Sequence, residues 1–178
     1  MTFMSAALAQ GLETLQGGNF VLLAEKVREN EFDLVLPAQH ATEEKLRFIL
    51  RHGSGMVCVP MLEDRLHALG LKLIEEAPTK PGSCSFYTTV DPRYGGTGMS
   101  AKDKLQTITA LLEDEVPITH PSSRLARPGH TFPLRTHIGG VLARAGHTEG
   151  SIALLDLADL HPIAVICELY DREEGDAR

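Results

Sequence analysis

The segment Arg144-Ala-Gly-His-Thr-Glu149 puts an arginine, a glycine, a histidine, a helix-capping threonine and a carboxylate within six residues. The apolar run Ser151-IALLDLADL-His161 follows and predicts a helix. The segment then sits at a helix N-terminus, where free backbone N–H groups and the dipole favour an anion. Arginine, histidine and helix start together point to a phosphorylated ligand beside a metal. A second constellation is Arg28-Glu-Asn-Glu-Phe-Asp33. In an extended chain alternate side chains share a face, so Glu29, Glu31 and Asp33 lie on one face and Arg28 and Asn30 on the other. Three carboxylates on one face repel unless donors or a cation compensate. A hard divalent ion such as Mg²⁺ binds through one or two carboxylates plus water and substrate oxygens. Taken alone, the segment reads first as a solvated charged loop, because charge runs are usually surface. His130 follows the turn Pro128-Gly129 and by itself reads first as a surface or capping histidine. Glu168 closes the apolar run Ala164-VICE, and strand ends are where open α/β sheets bind ligands.

Placing these residues requires an alternating framework. Apolar spacing over 4–16 predicts a helix ending at Gly17-Gly18. Phe20–Glu25 reads as a strand, a polar loop follows, and apolar character resumes at Leu34. Thr42 before Glu43-Glu44 predicts a capped helix ended by Gly53, then a strand at Met56-VCVP and a short helix over 62–69. Residues 77–85 read as a loop, Phe86-YTTVD as a strand, and Tyr94-GGTG as a glycine-rich turn before a Ser100-capped helix to about Leu112. Residues 113–130 read as a long polar loop, followed by Thr131-FPLR, a turn at Gly139-Gly140, the hexad with its helix, and a final strand at Ile163-AVICEL. The implied class is α+β, a mixed sheet flanked by helices in one domain.

Composition narrows the function. The chain has 178 residues with a net charge of −7, which argues against general nucleic-acid binding while leaving room for a local basic pocket. No apolar run is long enough for a membrane span and no leader pattern is present, so a cytoplasmic setting is the expectation. Three cysteines without a CxxC pair argue against a zinc knuckle, and Cys58 and Cys167 lie in apolar runs as buried thiols. Tyr94-GGTGMS has neither GxGxxG spacing nor a P-loop lysine, though its backbone can approach an anion. His52 has no GxSxG elbow to serve.

Taken in order, Arg28-ENEFD-Leu34, Arg51-HGSGMVCVP, Gly96-TGMSAKDK, Arg127-PGHTFPL, Gly139-GVLARAGHTE149 and Val165-ICE168 resemble the 3,4-dihydroxy-2-butanone 4-phosphate synthase family. The resemblance runs from about residue 5 to the C-terminus and implies an α/β/α sandwich. It implies conversion of ribulose 5-phosphate into formate and 3,4-dihydroxy-2-butanone 4-phosphate through an enediol, a skeletal rearrangement and loss of one carbon. It implies Mg²⁺ or Mn²⁺, no organic cofactor, and a homodimer with sites near the subunit interface. By motif, Glu29 and His147 resemble metal ligands, and Glu31, Asp33, His130 and Glu168 the catalytic groups. Arg28, Glu29, Asp33, Thr107, Arg144, Gly146, His147 and Thr148 resemble substrate contacts.

The chain also departs from the family pattern. Ala24-Glu-Lys-Val27 replaces an aspartate-rich stretch, Phe32 a small residue in a closing loop, and Lys104 an arginine. Gly96 replaces a threonine, and Pro78-Thr79 an Asn-Thr. Members of the family usually continue past the position of Arg178, so a single domain over 1–178 lacking that last segment is expected. Two other readings follow from the departures: the same chemistry on a related sugar phosphate, or a catalytically silent binding protein.

Overall fold

Ser5 opens the first helix by accepting the Leu8 N–H at 3.2 Å, and α1 (Ala6–Gln16) closes on Gly17. Then follow β1 (Val21–Glu25), β2 (Glu31–Pro37), α2 (Glu43–His52), β3 (Cys58–Met61), α3 (Glu63–Ala68), β4 (Ser85–Phe86) and β5 (Val90–Pro92). The chain continues through α4 (Ala101–Glu113), β6 (Leu125–Arg135), α5 (His147–Leu157) and β7 (Ala164–Glu168), with a small ribbon of β8 (Tyr170–Asp171) and β9 (Asp176–Ala177). This computed structural model describes residues 5–26, 31–75, 82–171, 173, 176 and 177. Arg28, Glu29, Asn30, Pro78 and Thr79 therefore lie outside the described residues.

The main sheet runs β1-β2-β7-β3-β6-β4, and β5 also pairs with β6. The β3–β6 pair is parallel and the others are antiparallel, so the sheet is mixed as expected. Strand alternation sorts its side chains into two cores. Leu34 and Leu36 of β2, Val59 and Met61 of β3, and Val165 and Cys167 of β7 pack on one side against Leu46 and Ile49 of α2, Leu66 of α3, and Ile108 and Leu111 of α4. Val35, Cys58, Leu134, Ala164 and Ile166 pack on the other side with Leu15 of α1 and Ile152 and Leu155 of α5. The result is the expected sandwich of helices on both faces.

Three boundaries differ from the sequence expectations, each for a tertiary reason. β2 begins at Glu31 rather than Leu34, because Glu31 to Asp33 pair with Leu23 to Glu25 of β1. Strand β6 begins at Leu125, inside the expected loop over 113–130, because Leu125 and Ala126 pair with Pro92 and Asp91. His130 thus stands within a strand. Helix α5 begins at His147, four residues earlier than the apolar run. Gly146 is its N-cap and no side chain caps it, so Thr148 lies in the first turn and is not the cap.

Candidate active site

The site grows from the register between β2 and β7. Asp33 stands opposite Glu168, and Val35 opposite Ile166. Residues paired this way point to the same face, and alternation adds Glu31. All three carboxylates therefore rise on the α5 side of the sheet, at the end of β2 where the apolar alternation stops. Phe32 pairs with Ala24 and has the opposite parity, so its ring points to the other face and does not crowd the carboxylates.

Opposite the carboxylates stands the first turn of α5. Between the two lies a cleft of about 260 Å³, lined among others by Glu31, Asp33, Arg144, His147, Thr148 and Glu168. His147 and Thr148 are buried, and His147 Nδ1 lies 3.4 Å from Asp33 Oδ1. The Arg144 guanidinium is fixed from three sides. Nη1 donates to Glu149 Oε2 at 2.5 Å, Nε to the Gly82 carbonyl at 3.0 Å, and Nη2 to Cys84 Sγ at 3.2 Å. Arg144 also lines the cleft. Glu149 is itself secured by the His137 N–H, 3.0 Å from Oε1. Gly146 leaves room for it: a Cβ there would fall 2.4 Å from Arg144 Nη1 and push the guanidinium aside. Cys84 Sγ is 3.3 Å from Thr148 Oγ1, tying the β4 side of the cleft to the helix start.

Cys58 also lines the cleft, and burial pushes its thiol well above the ordinary value, with the Asp33 charge adding to the effect. Burial raises the Cys167 thiol as well. A neutral thiol is a poor nucleophile, so burial holds Cys58 and Cys167 in their less reactive form.

Six of the expected site residues therefore meet in one cleft, with Gly146 beneath Arg144. Arg28 and Glu29 fall outside the described residues. Thr107 and His130 are not brought in. Thr107 is fully buried in α4, where its hydroxyl donates to the Asp103 carbonyl at 3.0 Å. His130 shares the parity of Phe132 and Leu134 but lies about 7 Å further along β6 than Phe132, from the rise per residue of a strand. Its ring is 55% exposed and bonds Asp91 Oδ2 at 2.6 Å.

Sequence reasoning missed Asp91 and the true place of Lys104. Asp91 is distant in sequence from His130, and only the β5–β6 pairing joins them. Lys104 does not face the cleft: it is buried, and its Nζ donates to the His130 carbonyl and, at 3.2 Å, to Thr131 Oγ1. Burial lowers its pKa, while the charges of Asp91 and Asp103 act in the opposite sense. The glycine-rich turn does approach an anion, but that anion is the chain's own Asp103. Its Oδ1 accepts the Gly96 N–H at 3.2 Å.

The model of the 3,4-dihydroxy-2-butanone 4-phosphate synthase family matches residues 9–178. The 3,4-dihydroxy-2-butanone 4-phosphate synthase of Proteus mirabilis is 43% identical over 171 residues, 95% of this chain and 77% of that protein. The chloroplastic bifunctional riboflavin biosynthesis protein of Arabidopsis thaliana is 42% identical over 177 residues, 97% of this chain but only 32% of that protein. The chain thus spans less than half the length of several of the riboflavin biosynthesis proteins it matches. A solved 3,4-dihydroxy-2-butanone 4-phosphate synthase in complex with two magnesium ions aligns with a TM-score of 0.82 and 35% identity, covering 95% of this chain and 77% of that one. A mixed sheet carrying these carboxylates opposite an arginine-histidine helix start, matched across its length by these relatives, places the chain in the 3,4-dihydroxy-2-butanone 4-phosphate synthase family.

Proposed function

We propose that the protein converts ribulose 5-phosphate into formate and 3,4-dihydroxy-2-butanone 4-phosphate, as a cytoplasmic homodimer that uses Mg²⁺ or Mn²⁺ and no organic cofactor. The observation that carries this reading is the single cleft in which Glu31, Asp33 and Glu168 face Arg144, His147 and Thr148. Arg144, Thr148 and the uncapped start of α5 supply charge-assisted donors for a phosphate. Asp33, Glu31 and Glu168 accept hydrogen bonds from sugar hydroxyls and take up or return protons during enolisation. The apolar walls, Phe86, Leu134 and Ile166, restrict water around the reacting carbons.

The donor set fits a hard divalent ion. It offers one imidazole and several carboxylates, and burial raises the Cys58 and Cys167 thiols, away from the thiolate form. Among the described residues no group of three His, Cys, Asp or Glu side chains is placed to hold a metal by itself. That suits an ion bound through His147 and Glu29, with water and substrate oxygens completing its shell. When bound, the ion supplies Lewis-acid stabilisation of an enediolate. Asp33, beside Nδ1 of His147, orients the imidazole for that role.

The homodimer is supported by His130, which is exposed on the cleft's face of the sheet yet outside the cleft of its own chain. A second copy brings such a residue to a site. The free thiols Cys58, Cys84 and Cys167 accord with a reducing compartment, and no helix among the described residues is long and apolar enough to cross a membrane.

The experiment is incubation with ribulose 5-phosphate and Mg²⁺, with formate and the four-carbon product followed by carbon NMR. Both products are expected, and EDTA is expected to abolish them. His147→Ala is expected to lose metal-dependent turnover while keeping its circular dichroism spectrum. Binding of ribulose 5-phosphate without formate release would overturn the reading.

A further inference from the structure

The three anchors of Arg144 are unequal. Glu149 offers a buried carboxylate and Gly82 a carbonyl, but the third, Cys84 Sγ at 3.2 Å from Nη2, is a weak acceptor. The same sulfur lies 3.3 Å from Thr148 Oγ1. It therefore stands between a guanidinium and a hydroxyl that both line the cleft, and it lines the cleft itself. Strand β4 sets its place. Ser85 and Phe86 pair with Arg135 and Leu134 of β6, Arg135 Nη2 donates to Ser85 Oγ at 3.4 Å, and the Tyr87 N–H donates to the Pro133 carbonyl at 3.0 Å. Alternation puts Cys84 on the face of Phe86, and both pack against the core beneath α5. Cys84 is half-buried, whereas Cys58 and Cys167 are buried.

We propose that Cys84 is a positioning residue for phosphate binding: its sulfur holds Arg144 and Thr148 in register and then yields both to a phosphate oxygen. This inference rests on the phosphate contacts assigned above to Arg144 and Thr148. A bond from a guanidinium to a charged oxygen is roughly twice as strong as one to a neutral acceptor, and sulfur accepts more weakly still. The exchange from sulfur to phosphate is therefore downhill. Glu149 and Gly82 hold Nη1 and Nε while Nη2 changes partner, so the guanidinium is aimed before the ligand arrives and loses little freedom on binding it. A methyl group at position 84 would leave Nη2 without this acceptor and widen its choice of rotamers. A carboxylate there would pair with the guanidinium permanently and compete with the phosphate. A thiol avoids both outcomes. The bound phosphate then lies over the sulfur and shields it.

The test has an arm that needs no turnover. The full chain is alkylated with iodoacetamide, and the modified cysteines are identified by mass spectrometry. Cys84 is expected to react first of the three thiols, because the other two are buried. Inorganic phosphate at about ten times its Kd is expected to slow that reaction about tenfold, as mass action requires of a ligand that covers the thiol. Sodium chloride at matched ionic strength controls for screening. The second arm measures steady-state kinetics of Cys84→Ala, Cys84→Ser and Cys84→Asp on ribulose 5-phosphate with Mg²⁺. Cys84→Ala is expected to raise KM about fivefold with kcat within about twofold, the scale of one weak hydrogen bond made before the chemical step. Cys84→Ser is expected to recover part of that loss. Cys84→Asp is expected to raise KM about 100-fold, the scale of a charge-assisted bond that the phosphate must displace. Alkylation of Cys84 that phosphate does not slow, or that sodium chloride slows equally, overturns the proposal. So does a parent KM in Cys84→Asp, or a Cys84→Ala variant that loses kcat rather than KM. If the parent chain releases no formate, the proposed reaction fails, and protection by inorganic phosphate still decides this inference. If the variants do not fold, the alkylation of the parent chain decides it.

Discussion

Arg144 shows how far the aim of one side chain is set by its neighbours. Its guanidinium is aimed by Glu149, Gly82 and Cys84, and Gly146 lies beneath it because any side chain would displace it. Glu149 is the strongest of these anchors, a carboxylate whose side chain is 2% exposed. Glu149→Gln keeps an acceptor for the His137 N–H but removes the opposing charge. The variant is expected to lose about 1–3 kcal/mol of stability, the scale of a weakened buried charged hydrogen bond, in urea denaturation. It is also expected to raise KM for the phosphorylated substrate more than it lowers kcat, because Arg144 then has a choice of rotamers; an unchanged KM would remove Glu149 from the phosphate site. The hexad was legible in sequence as one constellation because local spacing carries arginine, histidine and helix start together. The part played by Cys84 was not, since residues 84 and 144 meet only after the sheet forms.

Helix α4 and the turn before it show the same division at the scale of an element. Ser100 caps the helix by accepting the Asp103 N–H at 3.1 Å, a contact legible from Ser100-AKD. The sequence could not show that Asp103 also closes the glycine-rich turn on itself. Burial alone would raise its pKa, but hydrogen bonds from Ser100 and from the Gly96 and Gly98 N–H groups outweigh that and hold the carboxyl below its ordinary value. A depressed folded-state pKa contributes stability that is complete above the ordinary aspartate range and is lost as pH falls through the lowered value. Asp103→Ala is therefore expected to cost about 1–2 kcal/mol at neutral pH, the scale of a lost helix-start hydrogen bond. The difference from the parent chain should shrink in acid, as thermal melts at several pH values will show. A constant difference at every pH would mean that Asp103 acts by packing alone. The expected loop over 113–130 failed for a related reason: Leu125 and Ala126 are strand only because Pro92 and Asp91 lie beside them.

At the scale of the whole molecule, the sheet decides which residues a chain can bring to its own cleft. It gathers Glu31, Asp33, Glu168 and the start of α5, and leaves His130 on the open part of the same face. If two copies complete each other's sites, His130→Ala and His147→Ala subunits are each inactive but mutually complementary. Random exchange of subunits in a two-fold dimer then restores about a quarter of the parent activity. No recovery on mixing, with light scattering confirming exchange, would place His130 outside the partner's site. Fold class and order of elements were legible because alternation and caps are local signals, whereas the surroundings of His130 depend on β5 and α4, which only the folded sheet brings to it. The register of β2 against β7 has a further consequence. On these strands odd and even positions carry separate tasks, with Asp33 and Glu168 in one phase and Leu34 and Cys167 in the other. A single-residue insertion or deletion in β2 would exchange the phases, turning carboxylates into the hydrocarbon core and leucines into the cleft. The reading frame of β2 is therefore locked, because the cleft and the core fail in the same event.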